Sequence, residues 1–198
     1  NLTSANLSRA DLRRADVEKA IVRRANLSGI KAAGADFEKA DLSGANLSGA
    51  DIRNSDMEET NLQGANLDKA NIAGADFKRA DLTQATMRGA RSENVNFERA
   101  ILTSINAEGA VLSWADFDRA NLAGANLTKA ILSNARIKRT DFSGAILTHT
   151  NIKDAVMRLT RFDGVDLSSV RRLTQAQLDR ACGDGETTVP DGMSIGSC

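Results

Sequence analysis

The side chains best suited to chemistry are few and far apart. His149 is the only histidine. A nucleophilic triad needs a base held beside a nucleophile and oriented by a third group, and no spacing around His149 supplies either partner. Cys182 and Cys198 are the only cysteines, and no Cys/His set has the spacing of zinc ligands. The two could form a disulfide in an oxidising compartment or stay as free thiols in the cytosol. Carboxylate pairs such as Glu58-Glu59 are common, but their pattern builds no cleft that would shift a carboxyl pKa. Glycines recur singly, from Gly29 to Gly164, whereas a phosphate loop needs a glycine cluster opening a helix. We therefore assign no catalytic, cofactor-binding or metal-ligating residue and no cofactor, and expect a protein that is not an enzyme.

The residues between these points are organised by one five-residue word. It reads small residue, Asp or Asn, large apolar residue, then two variable residues, as in Ala45-Asn46-Leu47-Ser48-Gly49. The large apolar position, the centre, falls at Leu2, Leu7, Leu12 and every fifth residue to Leu167 without a slip. Of 34 centres only Ala32, Ser92 and Ala107 are not large and apolar, so the pattern dominates the chain. The position two before the centre is Ala in 24 of 33 cases, which requires a tight inner wall.

A period of five excludes the two regular structures. On an α-helix it steps successive centres round by about 140°, leaving no apolar face. On a flat strand, side chains alternate with period two, so alternate words would point to opposite faces. Both sets stay inside only if the chain turns a corner every five residues, and stacked coils of that kind bury a continuous core. Phe37, Phe77, Phe97 and Phe117 share one remainder on division by 20, and Phe142 and Phe162 share another. A coil of 20 residues with four sides would stack these rings, with Met57 completing the first column. The single Pro, Pro190, lies beyond the repeat, as the ladder hydrogen bonds of a solenoid demand.

This frame resembles that of the pentapeptide-repeat proteins over about five-sixths of the chain. The resemblance implies an all-β chain: a right-handed, four-sided parallel β-helix of about eight coils. It also brings an alternative function, since the quinolone-resistance members resemble B-form DNA in shape and charge and bind DNA gyrase. The present chain departs from them in charge, because Lys+Arg and Asp+Glu balance at 26 each, and in lacking projecting loops. A balanced charge gives no field to steer the chain to nucleic acid or an anionic membrane. No apolar run is long enough for a transmembrane helix, and no signal peptide is visible. The compartment, cytoplasmic or periplasmic, is left open, with an exported envelope protein as a third reading.

The Asp and Asn before each centre are expected to bond neighbouring backbone rather than hold cations. The corner position two after the centre collects all 11 glycines of the repeat, which suits a tight or left-handed turn. One side carries most of the charge, with mixed signs such as Glu38-Lys39 and Lys78-Arg79, and reads as a solvated face. The Arg-rich start, from Arg9 to Arg24, is interleaved with Asp11, Asp16 and Glu18 and reads as a wet surface whose stems cover apolar atoms.

Apolar residues replace the outward Asp or Asn at Ile101, Val111, Ile131, Ile146 and Val156. Val111 and Ile131 fall one coil apart on one side, and Trp114 falls beside them. An outward Trp beside stacked β-branched residues is the feature most like a partner contact. We expect Trp114, Val111 and Ile131 to meet another chain, either a second copy or a different protein, as a non-enzymatic interaction or structural solenoid would.

After Leu167 the frame stops, which divides the chain into a repeat domain, 1–169, and a tail, 170–198. Thr174 and Gln177 form a capping box, with Leu173 and Leu178 placed as a hydrophobic staple. The expected helix runs about two turns to Gly183 and Gly185 and covers the open end of the solenoid. Asp184 to Cys198 is expected to be extended or mobile. Asn1 begins in mid-repeat with no comparable cap, and its end is expected to be covered by preceding residues or by a partner.

Overall fold

One repeat shows how the backbone closes its own hydrogen bonds. Asn46 N–H donates back to Ala25 C=O at 2.9 Å, and Leu47 N–H donates forward to Asn66 C=O at 2.7 Å. Gly49 N–H reaches Asp68 C=O at 2.9 Å, and Ala50 N–H closes the corner on Leu47 C=O at 3.0 Å. That leaves Ser48 N–H, which donates to Asn46 Oδ1 at 3.1 Å. All five N–H groups of the word are satisfied, four by backbone and one by the Asn side chain. The same bond joins Glu38 N–H to Asp36 and Lys78 N–H to Asp76. Asp and Asn recur because the fifth donor needs a short acceptor two residues upstream, as expected from the sequence.

The computed structural model, which describes residues 1–198, repeats this scheme as a four-sided parallel β-helix. Bridges link residues 20 apart on every side, from Asn6↔Asn26 to Asn151↔Arg171, with one rung missing between Ile146 and Asp166. Most sides pair through a single residue. Longer strands occur where the turn bond weakens or is lost: β1 (Arg91–Glu93) pairs with β2 (Val111–Ser113), and β3 (Arg136–Lys138) with β4 (Val156–Arg158).

Every corner from Ser4 to Gly164 has positive φ two residues after the centre, whether or not the residue is Gly. With the bond from the residue after it to the centre carbonyl, this is the type II turn geometry. Among the repeat glycines space is tightest at Gly74, where a Cβ would lie 2.3 Å from Asn54 Oδ1 in the coil before and the Asn54 amide would have to swing aside.

The centres and the small residues form a single core that includes all six Phe. Phe77 and Phe97 stack with centroids 5.2 Å apart, as do Phe97 and Phe117; Phe142 and Phe162 stack at 5.4 Å. Such close, offset ring stacking adds to area burial. At the first coil Leu2 is exposed, and Leu7, Leu12 and Val17 are only partly buried.

The tail differs from expectation in two ways. The helix α1 (Gln175–Leu178) is one turn, not two. Its capping box is present, and Leu173 and Leu178 are buried in the core. It ends at Asp179 because the chain must re-enter the ladder: Arg180 C=O accepts from Leu159 N–H at 2.7 Å, and Cys182 C=O from Phe162 N–H at 2.8 Å. Gly183 lies in a strand rather than ending the helix.

Nor is Asp184 to Cys198 a loose extension. Strands β5 (Thr160–Arg161), β6 (Ala181–Gly183) and β7 (Gly196–Ser197) form one parallel sheet, and Asp166 bridges to Thr188. Val189, Met193 and Ile195 pack against the core. The tail is thus a partial further coil. The Gln177 side chain donates to Ile152 C=O at 3.1 Å and Ala155 C=O at 2.9 Å, carbonyls that an open strand edge would leave bare.

Candidate interaction surfaces

The side bearing Val111 and Ile131 is built by two substitutions. Val111 pairs directly with Ile131 in the ladder, after the register pair Arg91↔Val111. Both are half-buried, because β-branched side chains on adjacent rungs cover each other. Trp114 follows at the next corner with φ 62 and its N–H bonded to Ser133 C=O at 3.0 Å. Its side chain is 59% exposed. That exposure is what the left-handed corner enforces, since φ > 0 turns the side chain away from the coil. A shallow groove lined by Asn71, Ala73, Arg91, Ser92 and Glu93 adjoins Val111. Ser92 stands at a centre where a large apolar residue belongs, and its buried hydroxyl has no hydrogen-bond partner.

Other outward apolar residues lie elsewhere. Ile101, Ile146 and Val156 are exposed, and so is Leu159, which the sequence reading did not single out. Val156 and Leu159 share the last full coil, beside Arg158 and Arg180. The signal for Leu159 was available: it is the one large aliphatic residue at a corner position otherwise filled by Gly, charged or polar residues and Trp114.

The electrostatics are local. Asp11 is drawn down to about 2 by its hydrogen bonds to the Arg13 side chain and backbone. Asp51 is lowered first by the Arg53 side chain, and Asp166 by the Ser168 and Thr188 hydroxyls. Each carboxylate serves the surface that carries it. No three His, Cys, Asp or Glu side chains come together as a metal site would need. No helix is long and apolar enough to cross a membrane. Cys182 and Cys198 are joined as a disulfide, with Cα atoms 4.8 Å apart.

A uniform 20-residue register and the Asx bond in word after word are the marks of one repeat family. Its model, described as pentapeptide repeats, matches over 1–29, 20–58, 45–84, 75–113, 106–144 and 135–182. The chain belongs to the pentapeptide-repeat family. It is a right-handed quadrilateral β-helix with a short helical cap.

The first of three similar solved structures supports the fold. A trypsin-treated form of QnrB1, a plasmid-mediated fluoroquinolone resistance protein, is 18% identical with a TM-score of 0.61, over 91% of this chain and 87% of that one. HetL, a pentapeptide-repeat protein involved in heterocyst differentiation regulation in the cyanobacterium Nostoc sp. strain PCC 7120, is 24% identical with a TM-score of 0.49, over 91% and 84%. A pentapeptide-repeat protein of the Arabidopsis thaliana thylakoid lumen is 30% identical with a TM-score of 0.30, over 60% and 68%. No curated protein matches the chain.

Proposed function

We propose that this pentapeptide-repeat protein is a non-enzymatic interaction solenoid, and that Trp114, Val111 and Ile131 contact another polypeptide. The observation that supports this is the 59% exposure of Trp114 beside the Val111↔Ile131 pair. The tail docks at the far end of the solenoid, against residues 152–167, and so does not cover Trp114. A flat, already ordered β-helix side loses little conformational entropy on binding, and Trp is the residue type most enriched among binding hot spots.

The gyrase-binding alternative calls for an uncompensated anionic face. Here carboxylates are interleaved with cations, as in the pairs Arg79–Glu58, Arg88–Asp68 and Arg53–Asp51, which favours the general interaction reading. The tail disulfide favours an oxidising compartment, the setting of an exported protein.

A photoreactive residue placed at position 133, the next rung, whose C=O accepts from Trp114 N–H, tests the contact in the native host. The expected result is a covalent adduct to one polypeptide, with a digest that maps the cross-link to this side. Trp114→Asn should then abolish capture at an unchanged melting temperature. Asn already occupies the same corner one coil either side, at Asn94 (φ 57) and Asn134 (φ 60), so the exchange is conformationally neutral. Capture that survives Trp114→Asn overturns the assignment.

A further inference from the structure

On the charged side, each coil presents three outward positions: the residue before the centre and the two after it. In the coil centred on Met57 all three are acidic, Asp56, Glu58 and Glu59. In the coil centred on Ile137 all three are basic, Arg136, Lys138 and Arg139. No other side has a coil with three charges of one sign. Midway between the two lies the coil of Asn96, where Glu98 and Arg99 cancel.

The intermediate coils are also opposed. Asp76, Lys78 and Arg79 leave one positive charge, against one negative charge from Asp116, Asp118 and Arg119. Outside them, Asp36, Glu38 and Lys39 leave one negative charge, against one positive at Arg158 between Val156 and Leu159. Net charge along this side therefore changes sign about Asn96, coil by coil.

A surface that is antisymmetric in charge about its midpoint is complementary to itself. We propose that this side is the contact between two copies of the chain, laid antiparallel about a two-fold axis that crosses the side at Asn96. Such an axis keeps each ladder column opposite the same column of the other copy. It sets Asp56 against Arg136, Glu58 against Lys138 and Glu59 against Arg139, twice per dimer, as an isologous interface requires.

Three further observations fit. Asp76, Asn96 and Asp116 are successive rungs of one column. Asn96 is the one neutral residue in an otherwise acidic run from Asp16 to Asp116, at the point where a residue meets its own copy and an Asp would meet an Asp. The cations are available. Arg136 reaches Asp116 at 3.3 Å, whereas Lys138, Arg139 and Arg158 meet no carboxylate within 4.0 Å. Finally, the exposed apolar residues Val156 and Leu159 stand at the rim of this side, where the second copy would shield them.

The side is about 38 Å long for eight coils at about 4.8 Å each. A dimer on it falls near the lower end of specific interfaces, so charge complementarity carries the specificity. The contact does not rest on the Trp114 reading, which uses the adjoining side.

Sedimentation of the full chain at low and high salt tests it. The wild type is expected to dimerise, less so as salt rises. Lys138→Glu with Arg139→Glu should weaken dimerisation more than about tenfold, because like charges then face each other. Glu58→Lys with Glu59→Lys should do the same. The two reversed proteins mixed in equal amounts should dimerise again, since both rungs regain opposite charges. That recovery also shows that each variant is folded. A wild type that stays monomeric at low salt overturns the proposal. So does a reversed variant that dimerises like the wild type, a mixture that stays monomeric, or a Lys138 end that takes up duplex nucleic acid in place of a second copy.

Discussion

Phe97 lies beneath Phe117 with ring centroids 5.2 Å apart and planes within 13°. Phe77 stacks on its other face at the same distance. The middle ring thus has aromatic neighbours on both faces, and its removal opens a gap that a ladder of fixed rise cannot close. We expect Phe97→Ala to cost about 3–5 kcal/mol, as core Phe truncations do. Denaturant melts at fixed slope measure it. A loss below about 1 kcal/mol would show that the column repacks around the gap.

The Asx bond makes a smaller claim. Asn46→Ala strips Ser48 N–H of its 3.1 Å acceptor but leaves that N–H near water. The expected cost is about 0.5–1.5 kcal/mol, and Ser48 should exchange its amide proton faster than Leu47 or Gly49. Equal protection at all three positions would mean that the Asn side chain is not the acceptor in solution.

Much of this architecture is legible because the repeat never slips. The Phe77–Phe97–Phe117 column follows from a remainder on division by 20, and the outward Asp and Asn follow from the one donor that the ladder omits. The tail is different. Cys182 pairs with Arg161 at a separation of 21 and Thr188 with Asp166 at 22, so the coil continues in a register that no five-residue word announces. Helix α1 is one turn rather than two for the same reason. Its stop is set by Arg180 and Cys182 joining the ladder rather than by Gly183. The charge antisymmetry about Asn96 is hidden for another reason: it exists only between residues 40, 80 or 120 apart, and becomes visible once the coils of 20 are laid side by side.

Acid should loosen the fold from its carboxylates. Asp11, Asp51, Asp166 and Asp184 all have pKa values below the ordinary carboxylate range, Asp184 chiefly through the Gly164 N–H. A depressed folded pKa means that the unfolded chain binds more protons in the window between the two values. The stabilisation is therefore complete above about pH 5 and is lost as pH falls toward the folded values, near 2 for Asp11. Melting temperature should be flat from neutral pH down to about 5 and then fall. A melting temperature that rises below pH 4 would contradict the sign.

The last expectation concerns the disulfide and how far its effect spreads. Cys182 and Cys198 close a segment of separation 16, for which chain entropy suggests a stabilisation of about 3 kcal/mol. In a globular domain that figure would appear in the global melt. A solenoid is close to one-dimensional, and each coil is stabilised mainly by its neighbours. The disulfide fastens β7, two exposed residues at the end of the ladder, to β6. Its loss should free Gly196 to Cys198 and weaken the cover over Leu159 and Phe162, whose N–H groups bond to Arg180 and Cys182. The Phe77–Phe97–Phe117 coils should not respond. Cys198→Ser should therefore raise amide exchange at and beyond Leu159 while leaving protection at Phe97 unchanged. Equal loss of protection at Phe97 and at Phe162 would show that the solenoid opens as one unit, with the tail fastening all of it.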